Sequence, residues 1–200
     1  MEEINFLNNY KYNNKMDIFW NIRRFYEQTG TNKTFIHCEN VAKCAAKFSY
    51  HDNKGLQIAC LLHDVSAFIP TKKRLEVSEK LGINILPEER EVPLLLHQKI
   101  SSYIAKQCFN ITDEKVLDSI ECHTTLRENF TELDLILFLA DKIAWDQEGT
   151  PPYLKELLSA LNKSMESAAS VYINYLLNDS QLKVVHPWLN AANNQLSNDI

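Results

Sequence analysis

The most apolar helical segment of the chain reads Leu56-Gln57-Ile58-Ala59-Cys60-Leu61-Leu62-His63-Asp64. Apolar residues lie on nearly every side of a helix drawn through residues 56–62, which is typical of a helix buried at the centre of a bundle. Two ionisable residues, His63 and Asp64, follow at its end, where burial without a partner costs free energy. The segment therefore predicts a central helix that carries polar groups into an apolar interior.

The composition favours helices over strands throughout the chain. The 200 residues include 45% apolar residues, enough for the core of one ordinary domain, but only four glycines. This glycine count is well below the usual share of roughly 7%. Glycine supplies the tight turns of β-rich folds and the loops that bind phosphate in nucleotide-binding folds. We therefore predict an all-α fold, a helical bundle with short connections.

Charge and cysteine usage exclude several classes of protein. The net charge of −5 argues against a nucleic-acid partner, which usually requires a basic surplus. No uncharged apolar run approaches the roughly 18 residues that a membrane span needs, and the start Met1-Glu2-Glu3 is unlike a secretory signal. The five cysteines contain no CxxC pair, so we expect reduced, mostly buried thiols and a cytoplasmic protein.

Periodicity divides the chain into a lead-in and one domain. Residues 1–15 are rich in Asn and Lys and are predicted to be loose, whereas residues 16–200 are predicted to form a single helical domain. A first helix contains Ile18, Ile22 and Phe25 and is predicted to end at Gly30. Further helices are predicted at 34–48, 56–62, 71–81, 91–108, 113–122, 132–145, 152–177 and from 187 onward.

Ionisable residues recur on the apolar faces of the predicted helices. Besides His63 and Asp64, these residues are His37, His97, His123 and Asp141. One buried histidine is usually a satisfied core residue, but five helices that each point such a group inward need a common compensation. A shared metal centre supplies it, because imidazoles and carboxylates are natural metal ligands. Adjacent side chains on a helix point about 100° apart. His63 and Asp64 can therefore bind two neighbouring ions, or one ion and a bridge, better than they can bind a single ion together.

The order of these residues matches a known pattern. The series His37, His63-Asp64, His97, His123 and Asp141 resembles the HD-domain phosphohydrolase superfamily, whose signature is H…HD…D. The local sequences around the last three ligands are similar to those of the bacterial symmetrical bis(5′-nucleosyl)-tetraphosphatases, the YqeK type. These segments are Leu95-Leu96-His97, Cys122-His123-Thr124-Thr125 and Leu139-Ala140-Asp141-Lys142. The resemblance covers roughly residues 30–178.

The resemblance implies a fold, a metal centre and a reaction. It implies an HD-domain bundle in which the six residues bind two divalent ions, with Asp64 bridging them, and iron or, as a substitute, manganese as the metal. Members of this family cleave diadenosine tetraphosphate into two molecules of ADP and usually form homodimers. Two such ions would lower the pKa of a bound water, so that hydroxide attacks phosphorus near neutral pH.

Several residues near the ligands are candidates for substrate contacts. Lys142 and Arg127, and also Lys99, are cations that could bind phosphate oxygens, and Asp64, Lys142 and Arg127 are the candidate catalytic residues. The aromatic residues Phe68, Trp145 and Tyr153 follow ligand-bearing segments, so they could stack on a nucleobase.

The chain departs from the pattern of the tetraphosphatases at four places. Thr34 and Ala67 stand where these enzymes commonly carry an arginine and a lysine, and Ala144-Trp145-Asp146-Gln147 replaces a Glu-Pro pair followed by an arginine. Leu126 follows the two threonines where a glycine is common, although Arg127 keeps the basic residue after it. Three hypotheses therefore stay open. The chain is a dinucleoside tetraphosphatase, an HD hydrolase of another nucleotide or phosphoester, or a regulatory module that binds a nucleotide without turnover.

Overall fold

The computed structural model describes residues 2–49, 53–145 and 147–198. Over these residues it is helical without strands, which confirms the all-α prediction. The helices are α1 (Glu2–Asn9), α2 (Ile18–Thr29), α3 (Asn32–Ala45), α4 (Lys54–Leu62), α5 (Thr71–Leu81), α6 (Pro87–Glu91), α7 (Leu96–Phe109), α8 (Glu114–Cys122), α9 (Glu132–Ile143), α10 (Leu154–Leu161), α11 (Met165–Leu177) and α12 (Pro187–Asn198). No helix in this described part is long and apolar enough to cross a membrane.

Helix α4 lies at the centre of the bundle, as its sequence predicts. It packs against α3, α7, α8 and α9, and every residue from Ile58 to Leu62 is buried. Asn53 begins the helix by accepting a hydrogen bond from the backbone N–H of Leu56, which satisfies one of the donors that a helix start leaves unpaired. The helix therefore ends inside the core, with His63 and Asp64 directly after it.

Helix α9 lies between two apolar clusters. Leu137 and Ala140 pack in the cluster built around α4, whereas Phe138 and Leu139 pack with α10, α11 and α12. Thr131 and Asp134 form a reciprocal capping box that fixes where α9 begins. Helix α9 thus connects the central bundle to the C-terminal helices and carries Asp141 near its end.

The prediction of one helix over residues 152–177 is wrong. The chain turns at residues 162–164, where the Ser164 hydroxyl accepts a hydrogen bond from the backbone N–H of Ser167 and begins α11. Helices α10 and α11 then pack against each other. The apolar stripe continues on both sides of the turn because both helices cover the same core, so periodicity alone does not reveal the break.

Two other segments also differ from their predictions. Residues 2–9, predicted to be loose, form α1, because Leu7 is buried and the Phe6 ring packs edge-on against Phe25 and Phe68. The predicted helix 91–108 starts only at Leu96. Pro93 interrupts the backbone hydrogen bonding there, and a short 3₁₀ turn at Pro93–Leu95 separates α6 from α7.

The five cysteines are buried and free, as predicted. Gly30 has φ 71° and ends α2 in the left-handed conformation that favours glycine, which also confirms its predicted role as a helix stop.

Candidate metal centre and adjoining pocket

Five helices bring the six predicted ligands together. His37 lies in the middle of α3 and Asp141 near the end of α9, while His97 is the second residue of α7. The others directly follow helices: His63 and Asp64 come after α4, and His123 after α8. Ligand atoms of these residues fall into three overlapping groups, each within 4.8 Å and each able to hold an ion. We call these six residues the ligand cluster.

Asp64 lies at the middle of the ligand cluster. One of its carboxylate oxygens is 3.6 Å from Nε2 of His97 and 3.7 Å from Nε2 of His123. The other oxygen is 3.6 Å from Nε2 of His63. Asp64 therefore offers its two oxygens to two different sets of histidines, as a bridging carboxylate does.

Asp141 closes the cluster on the α3 side. Its Oδ1 lies 3.0 Å from Nε2 of His37 and 3.5 Å from Nε2 of His63. Its Oδ2 lies 2.6 Å from the ammonium of Lys142. Lys142 thus fixes the carboxylate from the side opposite to the histidines.

Backbone hydrogen bonds set the orientation of three imidazoles. Nδ1 of His63, His97 and His123 donates to the carbonyl oxygen of the residue three positions earlier, at 2.8, 2.7 and 2.8 Å. With Nδ1 carrying the proton, a neutral imidazole presents the lone pair of Nε2 to the cluster. Histidines that bind metals are oriented by this kind of partner on the second ring nitrogen.

The arrangement of lone pairs fits a cation. Nε2 of His97 and Nε2 of His123 are 3.1 Å apart, so two acceptors face each other. Nε2 of His63 is fully buried without a hydrogen bond. A buried unpaired nitrogen costs free energy unless a positive charge compensates it. Divalent ions among these nitrogens and carboxylates would supply that charge, so the residues present fit a metal.

The environment also sets the charges of the ligands. Burial lowers the pKa of His97, and burial together with His63 and His97 lowers that of His123 well below its ordinary range. Both imidazoles are therefore neutral at pH 7, the form that binds metal. Burial opposes ionisation of Asp64, but the neighbouring histidines lower its pKa to about 2.

Asp141 and His63 show the same demand for positive charge. Burial also opposes ionisation of Asp141, yet Lys142, His37 and His63 lower its pKa well below its ordinary range. Burial would lower the pKa of His63, but Cys38 and Asp64 outweigh it and raise that pKa. A proton on His63 and a metal ion are therefore alternative ways to place positive charge between the two carboxylates.

A cavity of about 420 Å³ opens beside the ligand cluster, and we call it the pocket. The ligands His37, Asp64 and Asp141 form one part of its lining. The rest of the lining consists of Lys33, Thr34, Ala67, Lys142, Trp145, Gln147, Tyr153 and Tyr172. Three of the predicted substrate contacts, Lys142, Trp145 and Tyr153, therefore lie at the pocket.

The structure does not bring the other predicted substrate contacts to the pocket. Lys99 is buried in an ion pair with Glu89, with Nζ 2.9 Å from Oε2. Arg127 uses its guanidinium to bind Asp118 and Asp134, at 3.1 and 3.0 Å. Phe68 belongs to the aromatic cluster under α1. The reason is shared: each side chain finds a partner within the fold that its sequence neighbours do not reveal.

Sequence reasoning missed several residues that lie close to the site. Lys33 and Tyr172 both line the pocket, although the sequence shows Tyr172 only as one of the apolar positions of the predicted helix 152–177. The hydroxyl of Thr124 is 3.0 Å from Nε2 of His97, and the Thr124 backbone N–H donates to Oε1 of Gln98. Thr124 directly follows His123, and this adjacency to a ligand was the available signal.

Most of the departures from the tetraphosphatase pattern lie at one place, whereas Leu126 is buried in the cluster of the C-terminal helices. Thr34, Ala67, Trp145 and Gln147 line the pocket together. Ala144 adjoins them in the chain, and Asp146 lies outside the described residues. The departures are therefore concentrated at the wall of one cavity.

Comparison with known proteins connects the cluster to a family. A sequence model of the HD domain matches residues 34–146, a segment that contains the whole ligand cluster. A symmetrical bis(5′-nucleosyl)-tetraphosphatase from Halalkalibacterium halodurans is 32% identical over 155 residues, which is 76% of this chain and 80% of that protein.

Other relatives are named differently or matched over less of their length. The Bacillus subtilis protein of the same name is 29% identical over 122 residues, 58% of this chain and 64% of that protein. An uncharacterised protein from the pepC 5′ region of Lactococcus lactis subsp. cremoris is 52% identical over 143 residues, 72% of this chain and 73% of that protein.

A solved structure shares the fold. The chain superimposes with a TM-score of 0.79 on a crystal structure from Clostridium acetobutylicum, described as a predicted HD superfamily hydrolase involved in NAD metabolism. The match covers 91% of this chain and 98% of the other, at 24% sequence identity.

Proposed function

Because this chain belongs to the HD-domain family of phosphohydrolases, we propose that it hydrolyses diadenosine tetraphosphate symmetrically with the help of two divalent ions. Water adds to one of the two central phosphorus atoms, the central P–O–P bridge breaks, and two molecules of ADP leave. The observation that carries the proposal is the convergence of the Nε2 lone pairs of His63, His97 and His123 on two carboxylates beside an open pocket.

The six residues of the ligand cluster would hold the ions, and iron or manganese fits their nitrogen and oxygen donors. When bound, such ions lower the pKa of water and stabilise negative charge on phosphoryl oxygens. The cluster would hold them with neutral imidazoles and ionised carboxylates, which are the protonation states that burial and charge favour at His97, His123, Asp64 and Asp141.

The residues of the chain perform the remaining tasks. Asp64 lines the pocket with its side chain 28% exposed, so its ionised carboxylate can accept a hydrogen bond from the attacking water. Lys142 holds Asp141 in place and presents its ammonium at the pocket. Lys33 is exposed at the pocket and can bind a phosphate oxygen. Arg127 and Lys99 have no part in the proposal, because their charges are paired elsewhere.

A second candidate is hydrolysis of another nucleotide or phosphoester by the same centre. The observation that favours it is the lining of the pocket, where Thr34, Ala67 and Gln147 stand at or near positions that are basic in the tetraphosphatases. Fewer cations there reduce the advantage of a substrate with four phosphates. The third hypothesis, nucleotide binding without turnover, is separated from both by a measurement of product.

The test is a product assay on the purified protein supplied with Fe²⁺ or Mn²⁺. We expect diadenosine tetraphosphate to give ADP alone, and His63→Ala to give none. ATP plus AMP would contradict symmetrical cleavage. Faster hydrolysis of mononucleotides or simple phosphoesters would select the second candidate, and tight nucleotide binding without any product would select the regulatory module.

A further inference from the structure

Aromatic side chains form the wall of the pocket on the side of the C-terminal helices. Trp145 follows α9 and is 38% exposed, Tyr153 precedes α10, and Tyr172 lies on α11. We call these three residues the aromatic wall. Tyr153 and Tyr172 lie beyond residue 146, where the match to the HD domain ends. Beyond the matched segment, the lining of the pocket therefore consists of these two tyrosines and Gln147.

The two tyrosines of the aromatic wall are held in fixed positions. Their ring centres are 4.8 Å apart with the planes at 78°, a favourable edge-on contact. The Tyr153 hydroxyl donates to the carbonyl oxygen of Lys142 at 3.1 Å. Because these two side chains are already ordered, they lose little further conformational entropy when a flat ligand binds against them.

Lys142 connects the aromatic wall to the ligand cluster. Its ammonium is 2.6 Å from Asp141 and lies 5.5 Å from the centre of the Tyr172 ring. A phosphate group held beside Lys142 and Asp141 therefore lies close to the ring of Tyr172. This is the arrangement that a nucleoside phosphate needs, with its charge at the metal centre and its base against rings.

The size of the pocket limits how much of a substrate it encloses. Sites for small molecules occupy about 300–1,000 Å³, and at about 420 Å³ this one is near the small end. That volume suits one nucleoside with its nearest phosphates. A dinucleoside tetraphosphate has two nucleosides, so one of them must lie outside the cavity.

We propose that the aromatic wall binds one nucleobase of the substrate and that Tyr172 is a specificity-determining residue for it. The protein then recognises a single nucleoside end and makes few contacts with the group beyond the cleaved bridge. The inference rests on the proposed function in that it uses the same pocket. It adds a base-binding surface built by Trp145, near the end of the matched domain, and by Tyr153 and Tyr172 beyond it.

The experiment compares two ligands that share a diphosphate and differ in the nucleoside. Calorimetric titration of the metal-loaded protein with ADP and with pyrophosphate gives a ratio of affinities that isolates the contribution of the base and ribose. Stacking of one base on aromatic residues predicts that ADP binds about tenfold more tightly than pyrophosphate. Tyr172→Leu is expected to remove most of that ratio, whereas Tyr172→Phe keeps the ring and preserves it.

Tyr103→Leu is the matched control. Tyr103 is a half-buried tyrosine of α7 that does not line the pocket, so its loss should leave the ratio unchanged. Circular dichroism and metal content verify that each variant is folded and loaded. Equal affinities for ADP and pyrophosphate in the unsubstituted protein, or an unchanged ratio in folded Tyr172→Leu, overturn the proposal.

Hydrolysis of diadenosine tetraphosphate by the same preparations separates this inference from the proposed function. Normal hydrolysis without a preference for ADP overturns base binding alone. A clear preference for ADP without hydrolysis supports the aromatic wall as a base-binding surface and counts against the proposed reaction.

Discussion

Asp141 and Lys142 are neighbours in the chain whose side chains meet again at the pocket, with Nζ of Lys142 2.6 Å from Oδ2 of Asp141. The other oxygen of Asp141 contacts His37. Burial would lower the pKa of Lys142, but Asp141 and the nearby Tyr172 raise it, so the amine stays charged. A buried ammonium therefore fixes a carboxylate that belongs to the ligand cluster.

Replacing this ammonium is expected to weaken the metal centre. In Lys142→Met the aliphatic part of the side chain remains, but Asp141 loses the ammonium that orients it. We therefore expect metal affinity or kcat/KM to fall roughly 10–100-fold. Metal content and initial rates measure the effect. Lys33→Met is the control: it removes a pocket cation that has no ion pair with a ligand, so it should raise KM and leave the metal content unchanged. Full metal content and activity in Lys142→Met would contradict the positioning role.

Removal of one ligand is expected to release metal. His63 lies within reach of both Asp64 and Asp141, so His63→Ala opens a gap at the middle of the ligand cluster. Elemental analysis of the purified variant should show a large loss of metal relative to the unsubstituted protein. His186→Gln is the matched control, because His186 is buried but pairs with Glu89, outside the ligand cluster. Equal metal content in the two variants would contradict the assignment of His63 as a metal ligand.

A buried ion pair outside the site is expected to control stability in acid. Glu89 is fully buried with Lys99 and His186. Burial would raise its pKa, but hydrogen bonds from His186, the backbone N–H of Leu86 and Lys99 lower it below the ordinary value of 4.5. Because the pKa is lower in the folded protein, ionised Glu89 contributes stability above about pH 4.5. That contribution is lost as the pH falls through the folded pKa.

Urea unfolding tests this ion pair. At pH 7, Glu89→Gln leaves the buried Lys99 without its charge partner and should cost about 3–5 kcal/mol. The difference from the unsubstituted protein should shrink when unfolding is repeated at progressively lower pH. Glu79→Gln breaks an exposed pair with Arg90 and should change stability by no more than about 1 kcal/mol. A difference that is the same at every pH would show that ionisation of Glu89 is not involved.

The cysteines are expected to resist thiol reagents in the folded protein. Burial raises the pKa of Cys60 to about 12 and that of Cys108 to about 11, and the thiolate is the reactive form. Because all five thiols are also buried, they should react with Ellman's reagent slowly without denaturant and rapidly in urea. A fast reaction of one thiol in the native protein would contradict its burial.

The ligand cluster could be predicted from sequence because each helix shows its buried face through its own periodicity. His37, His97 and Asp141 each lie on the apolar stripe of their own helix. A side chain on such a stripe points inward, whichever helix packs against it. Each of these ligands is thus predicted from the pattern of its own helix, and the family pattern identifies the six as a set.

The substrate contacts and the break between α10 and α11 could not be predicted in the same way. Whether Lys99 or Arg127 faces a pocket depends on carboxylates such as Glu89 and Asp134, which adjoin them only in the folded chain. The turn at residues 162–164 leaves the apolar stripe intact, so a local pattern does not detect it. Both outcomes depend on the tertiary arrangement.

The contacts of Lys142 make the C-terminal helices a support of the ligand cluster, although these helices lie beyond the matched HD domain. Tyr172 lies against the ammonium that steadies Asp141, and Tyr153 donates a hydrogen bond to the backbone of the same lysine. A truncated chain that stopped at residue 146 would keep every ligand and still lose the support of one. Substitutions in the C-terminal helices can therefore alter the surroundings of Asp141 while all six residues of the ligand cluster stay the same.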